Sequence, residues 1–152
     1  LSGKPLIEYT IRVAKKSTIS ENFMIIARIE SFILEKKIKD ALKRAEAYSK
    51  AGADAILVHS KEKNPSQIFS FAKKFKKSKF FKPLVAVPSS YSKTYEKDLI
   101  KNGFSVVIYA NQMLRASYPV MVNVAKSILK NKRSHNVENK ISSIKEIINL
   151  IK

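Results

Sequence analysis

Four short, almost unbroken apolar runs punctuate the chain: Phe23-Met-Ile-Ile-Ala-Arg-Ile29, Ala55-Ile-Leu-Val-His-Ser60, Leu84-Val-Ala-Val-Pro-Ser89 and Ser105-Val-Val-Ile-Tyr-Ala-Asn111. Continuous rather than alternating hydrophobicity over such short stretches predicts parallel strands covered on both faces. Between the runs the apolar period lengthens to that of a helix. Lys36–Ala51 carries Ile38, Leu42, Ala45 and Tyr48 at three-to-four spacing, and Gly52 is placed to end it. Asn64-Pro65 reads as a cap followed by proline in the first turn, opening a helix through about Lys77. Thr94–Asn102 predicts a shorter helix stopped by Gly103, and Met113–Lys130 a longer one that breaks or restarts at Pro119. Leu6–Lys16 is amphipathic ahead of the first strand, and Ser143-Ile-Lys-Glu146 is a capping box before Ile147, Ile148 and Ile151.

The predicted order, α-β-α-β-α-β-α-β-α-α, calls for a parallel sheet with right-handed crossovers. Strand onsets at 23, 55, 84 and 105 give intervals of 32, 29 and 21 residues, the rhythm of βα units. Four such units do not close a barrel, which takes eight strands and about 250 residues. An open four-stranded sheet would leave two unpaired edges. Two architectures therefore stand: a small doubly wound sheet, or half of a larger barrel. The leading helix, with no strand before it, favours the second and the expectation of a truncated or proteolysed portion of a longer polypeptide.

Length adds that residues 1–152 suit one domain, with βα units over 1–130 and a C-terminal loop and helix over 131–152. Cysteine is absent, which excludes a disulfide framework, a thiolate metal site and a cysteine nucleophile, and fits a reducing compartment. No apolar run is long enough to span a bilayer, and the N-terminus lacks a signal-peptide layout, so a soluble cytoplasmic protein without membrane contact is expected.

Charge changes the picture more: 30 Lys+Arg against 12 Asp+Glu give a net +18. Such an excess reads either as a polyanion-binding surface or as compositional bias. Only Arg12, Arg28, Arg44, Arg115 and Arg133 are arginines, and the lysines are spread through every predicted helix, which favours bias and at most weak, non-specific binding of nucleic acid. In the densest run, Phe71–Lys82, Phe71 and Phe75 lie four apart on one helical face. That is core spacing, not a base-stacking platform.

Polar residues gather where the strands end: Arg28, Glu30 and Ser31 on the first, His59, Ser60 and Lys61 on the second, Ser89 and Ser90 on the third, Asn111 and Gln112 on the fourth. In parallel α/β proteins the carboxyl ends of strands form the site. An arginine within an apolar run calls for an anion, either a ligand or its neighbour Glu30, two residues on and on the same face. His59 alone would pass for a satisfied core histidine, and His135 for a solvated loop residue. Beside Arg28 on the neighbouring strand, His59 makes a plausible clamp for a phosphoryl or carboxylate group. With three glycines and no Gly-rich loop, HExxH or GxSxG element, any phosphate would be bound by side chains.

Phe23-Met-Ile-Ile-Ala-Arg-Ile-Glu-Ser-Phe32 and Asp40-Ala-Leu-Lys-Arg-Ala-Glu-Ala-Tyr-Ser-Lys-Ala-Gly-Ala-Asp-Ala-Ile-Leu-Val-His-Ser-Lys61 together resemble the phosphoenolpyruvate mutase family of the isocitrate lyase superfamily. The similarity continues through Val85-Ala-Val-Pro88, Val106-Val-Ile-Tyr-Ala-Asn111, Leu114-Arg-Ala-Ser117, Asn136-Val-Glu-Asn-Lys140 and Ser143-Ile-Lys-Glu-Ile147. Lyases of this superfamily carry Arg-Thr-Asp-Ala where this chain has Arg28-Ile-Glu-Ser31, which favours the mutase and phosphonopyruvate hydrolase branch.

The resemblance implies an α/β fold that is the second half, strands five to eight, of a (β/α)8 TIM-type barrel, with C-terminal helices swapped between subunits of a homodimer or homotetramer. It implies an isomerase that interconverts phosphoenolpyruvate and phosphonopyruvate in phosphonate biosynthesis, in which Arg28 and His59 hold the migrating phosphoryl group. Ser89, Asn111 and Arg115 would line or buttress the mouth. Mg2+ is implied as the cofactor, but the family's metal-binding carboxylates, pyruvoyl-binding segment and gating loop belong to the first half of the barrel. No metal ligand is therefore expected in this chain, and the 152 residues alone should be inactive. Alternatives are phosphonopyruvate hydrolase, where water captures the phosphoryl group, another enzyme of the superfamily, and a non-catalytic basic binding module.

Overall fold

In the computed structural model, which describes residues 3–150, the four apolar runs form one parallel sheet. Strand β1 spans Ile26–Ile29, β2 Ala55–Val58, β3 Leu84–Ala86 and β4 Phe104–Val107, side by side in chain order. Each strand is shorter than the run that announced it. Phe23 and Met24 precede the ladder and are exposed, and after β3 the Ser89 N–H donates to the Val87 carbonyl, turning the chain away.

Four helices interleave with these strands: α1 Lys4–Ser17, α2 Ile38–Ala51, α3 Ser66–Phe75 and α4 Glu96–Lys101. Gly52 ends α2 in the left-handed region, at φ 111°, as its place in the sequence required. Asn64 sits one residue earlier than a cap, its Oδ1 accepting from the Ser66 N–H, and Pro65 takes the cap position.

A chain-order sheet removes the doubly wound alternative, in which strand order reverses at a switch point. With right-handed crossovers, chain order puts every connecting helix on one face. Burial agrees: Ala27, Ile29, Ile56, Val58, Leu84 and Ala86 share one core with Ile11 of α1, Ala45 and Tyr48 of α2, Phe71 and Phe75 of α3 and Leu99 of α4. The other face holds a separate cluster of strand residues only, Ala55, Leu57, Val85 and Val87. Cover on both faces therefore holds for β2 and β3, whereas β1 and β4 each carry exposed positions.

The chain divides into two compact units between Ala110 and Asn111. In the second unit α5, Gln112–Asn131, packs against a 3-10 helix over His135–Lys140, where the polar sequence predicts a loop, and α6 covers Ile144–Asn149. Helix α5 runs straight through Pro119, because a proline removes one backbone bond and bends a helix without having to end it. Ser143 and Glu146 form the expected capping box, while Ile151 lies outside the described residues. Val137 is buried in this unit, but no residue of α5 is.

Candidate active site at the strand ends

Arg28 is in register with Leu57 of β2, and Leu57 with Val85 of β3. Residues in register share a face, so Arg28 projects on the side of the Leu57–Val85 cluster, away from the helices. His59 follows Leu57 by two residues, and its N–H donates to the Ile29 carbonyl at 3.2 Å, which carries the ladder and its alternation one step past β2. Arg28 and His59 therefore lie on one face, at the carboxyl ends of adjacent strands. Glu30 joins them there, its Oε1 accepting a hydrogen bond from Arg28 Nε.

The carboxylate weighed as Arg28's alternative partner is thus present. The pair occupies Nε, and among the described residues no hydrogen bond engages the outer edge of the guanidinium. Among the described residues, 53% of the Arg28 side chain is accessible. The side chain faces away from the helical layer.

His59 is half-buried, and its Nδ1 is enclosed without a hydrogen-bond partner among the described residues. Burial pushes the imidazole below its ordinary value, the Arg28 guanidinium pushes it further down, and the Glu30 carboxylate opposes both. The ring is neutral near pH 7, with one nitrogen a donor and the other an acceptor.

The other strand-end residues divide. Ser89 is half-buried beyond the tight turn at Val87, where strand alternation no longer sets its direction. Asn111 opens the second unit as the cap residue of α5, exposed, with its N–H donating to Gln112 Oε1, and Arg115 is exposed in the first turns of that helix. His135 begins the 3-10 helix and is exposed, a solvated residue as read.

Two strand-end serines turn out to fasten loops. Buried Ser31 donates to Asp40 Oδ2 at 2.7 Å, and Arg44 Nε donates to the same oxygen at 2.8 Å. Burial pushes the Asp40 carboxyl up, but Ser31 and Arg44 outweigh it and hold the group below the usual carboxylate range. Buried Ser60 donates to Gln67 Oε1 at 2.7 Å and accepts from the Glu62 N–H. Lys61 Nζ meets Glu35 Oε1 at 2.6 Å, tying the loop after β1 to the loop after β2. The sequence signal for the first of these networks was the i,i+4 spacing of Asp40 and Arg44. Tyr91, just past β3, is fully buried, and burial pushes its hydroxyl up to about 12.

Among the described residues no group of three or more His, Cys, Asp or Glu side chains is placed to hold a metal, so these residues do not fit a Mg2+ site. A hollow of about 530 Å3 lies between the start of α2 and α3, lined by Phe32, Lys36, Lys74 and neighbours and not by Arg28 or His59. No described helix is long and apolar enough to cross a membrane.

This arrangement matches known proteins along most of the chain. The family model described as phosphoenolpyruvate phosphomutase matches residues 6–129. Phosphoenolpyruvate phosphomutase of Tetrahymena pyriformis is 38% identical over 148 residues, covering 96% of this chain and 48% of that protein. The crystal structure of phosphoenolpyruvate phosphomutase from Streptomyces platensis subsp. rosaceus superposes with a TM-score of 0.87 at 33% identity, over 99% of this chain and 51% of that one. A phosphonopyruvate hydrolase crystallised with oxalate and Mg++ gives the same TM-score of 0.87 and 33% identity, over 99% of this chain and 52% of that one. The chain thus spans about half the length of the relatives it matches.

Proposed function

Because the chain belongs to the phosphoenolpyruvate phosphomutase family, we propose that the protein carrying it interconverts phosphoenolpyruvate and phosphonopyruvate. The observation that carries this reading is the meeting of Arg28 and His59 on one face at the carboxyl ends of neighbouring strands. In the forward direction the bond from phosphorus to the enol oxygen breaks and a bond from phosphorus to the methylene carbon forms. No water is consumed and no electron leaves the substrate. A loose, metaphosphate-like transition state spreads charge over three oxygens, and fixed donors around them lower its energy. The outer edge of the Arg28 guanidinium supplies charge and paired N–H donors, and neutral His59 supplies one ring N–H.

In this reading the four βα units are strands five to eight of a (β/α)8 barrel. Chain-order strands, helices on one face only, and half-length coverage of the relatives support it. Ser89 then lies toward the mouth. Mg2+, when bound, would supply positive charge at the substrate's oxygens, and its carboxylate ligands would come from outside these residues. The exposed Met113, Leu114, Tyr118, Met121, Ile144 and Ile148 of α5 and α6 support a homodimer or homotetramer that covers them. The absence of cysteine supports a cytoplasmic setting.

Phosphonopyruvate hydrolase is the second reading, favoured by its equal TM-score of 0.87. There water takes the phosphoryl group and pyruvate leaves. Incubating the full-length protein with phosphonopyruvate and following 31P resonances separates the two, since a mutase yields phosphoenolpyruvate and a hydrolase yields inorganic phosphate. In either case Arg28→Ala should lower turnover by about 100-fold or more with melting temperature little changed. Unchanged turnover would overturn the role given to Arg28.

A further inference from the structure

The Arg28–Glu30 pair carries more than an alternative explanation for the arginine. We propose that Glu30 is a positioning residue: by accepting from Arg28 Nε, its carboxylate sets the guanidinium so that the outer edge of the fork faces the phosphoryl group. The proposal rests on the reading of Arg28 as a phosphoryl-binding group and adds the device that aims it.

Arg28 needs such a device because, among the described residues, Glu30 is the one side chain that holds its guanidinium. A long side chain in that setting samples many rotamers, and productive geometry must be fixed before reaction. The strand supplies the fixing group. Residues i and i+2 of a strand share a face, so Glu30 is the nearest position from which a side chain can reach Arg28. It uses Nε, the donor nearest the stem, and a carboxylate there leaves the two terminal nitrogens together for bidentate capture of a tetrahedral anion. Glu30 is itself partly accessible, at 38% of its side chain, and is not a core residue whose loss would hollow the fold.

A second consequence separates aiming from attraction. A carboxylate beside an anion site repels the anion, so its presence weakens substrate binding while improving orientation. Removing it should therefore lower kcat without raising KM. A residue that merely stabilised the fold would lower kcat only in step with a loss of melting temperature, and Glu30→Gln would not restore it.

The test uses the full-length protein with phosphonopyruvate. Glu30→Ala should lower kcat by about 100-fold, with KM unchanged or smaller and melting temperature little altered. Glu30→Gln keeps a carbonyl acceptor for Nε and should recover most of the lost kcat. In 15N spectra recorded without substrate, the Arg28 Nε–H should exchange slowly in the parent and rapidly in Glu30→Ala. Parental kcat in Glu30→Ala beside a dead Arg28→Ala overturns the positioning role alone. Parental kcat in Arg28→Ala overturns the reading of the site beneath it. Equal damage in Glu30→Ala and Glu30→Gln, with matching losses of melting temperature, assigns Glu30 to the fold and overturns the proposal. An Nε–H that exchanges as fast in the parent as in Glu30→Ala overturns it whether or not turnover is observed.

Discussion

His59 enters the folded state preferring neutrality, because burial and the Arg28 guanidinium both disfavour its proton. Its ordinary value is 6.5, and the folded value lies below that. The unfolded chain therefore binds the proton more readily, so His59 supports the fold fully above about pH 6.5 and less as pH falls below it. The melting temperature of the full-length protein should drop between about pH 7.5 and about pH 5.5, and His59→Gln should shrink that drop. An identical drop in both proteins, followed by calorimetry, would place the titration elsewhere. The types and positions of Arg28 and His59 could be read in the sequence, since both interrupt apolar runs. The enclosure of Nδ1 could not, because it arises only in the folded chain.

Helices and strands owe their positions to contacts of different reach. Phe71 and Phe75, four apart, announce the buried face of α3, and their rings stack at 5.5 Å while Phe32 meets Phe71 edge-on at 6.5 Å. Phe71→Ala should cost about 3–5 kcal/mol in urea unfolding, and a loss below 1 kcal/mol would show that α3 repacks. Asp54 has no such local signature. Its carboxylate accepts from Lys15 Nζ at 2.7 and 2.8 Å and from the Ile25 N–H at 2.8 Å, fastening α1 and the entry to β1 against the turn before β2. Burial pushes this carboxyl up, but the Ile25 N–H and Lys15 outweigh it and hold it below the usual range. Its contribution is therefore present above about pH 4 and lost as pH falls further. Asp54→Ala should cost about 1–3 kcal/mol at neutral pH, and the gap from the parent should narrow in acid. The apolar runs overstated every strand by a few residues for the same reason: hydrophobicity marks what is buried or borders it, whereas a strand ends where its neighbour stops pairing.

A net charge of +18 is a property of the entire chain, and it acts at long range. Single-stranded RNA in filter binding should be retained weakly at low salt and lost steeply as salt rises, with no preference among sequences. Sequence-selective retention at near-physiological salt would revive the basic-module alternative. The linear order of residues was enough for the α/β class, the parallel sheet, the core faces of α2 and α3 and the choice of Arg28 and His59 as candidates. All of these follow from periodicity and from groups that are costly to bury alone. Which way the sheet is wound, that α5 groups with the 3-10 helix from Asn111 onward, and that Ser31 and Ser60 fasten loops instead of facing a ligand were decided only by the folded chain. Those outcomes depend on which distant residues become neighbours, and a hydrogen bond or a covered face exists only once both partners have arrived.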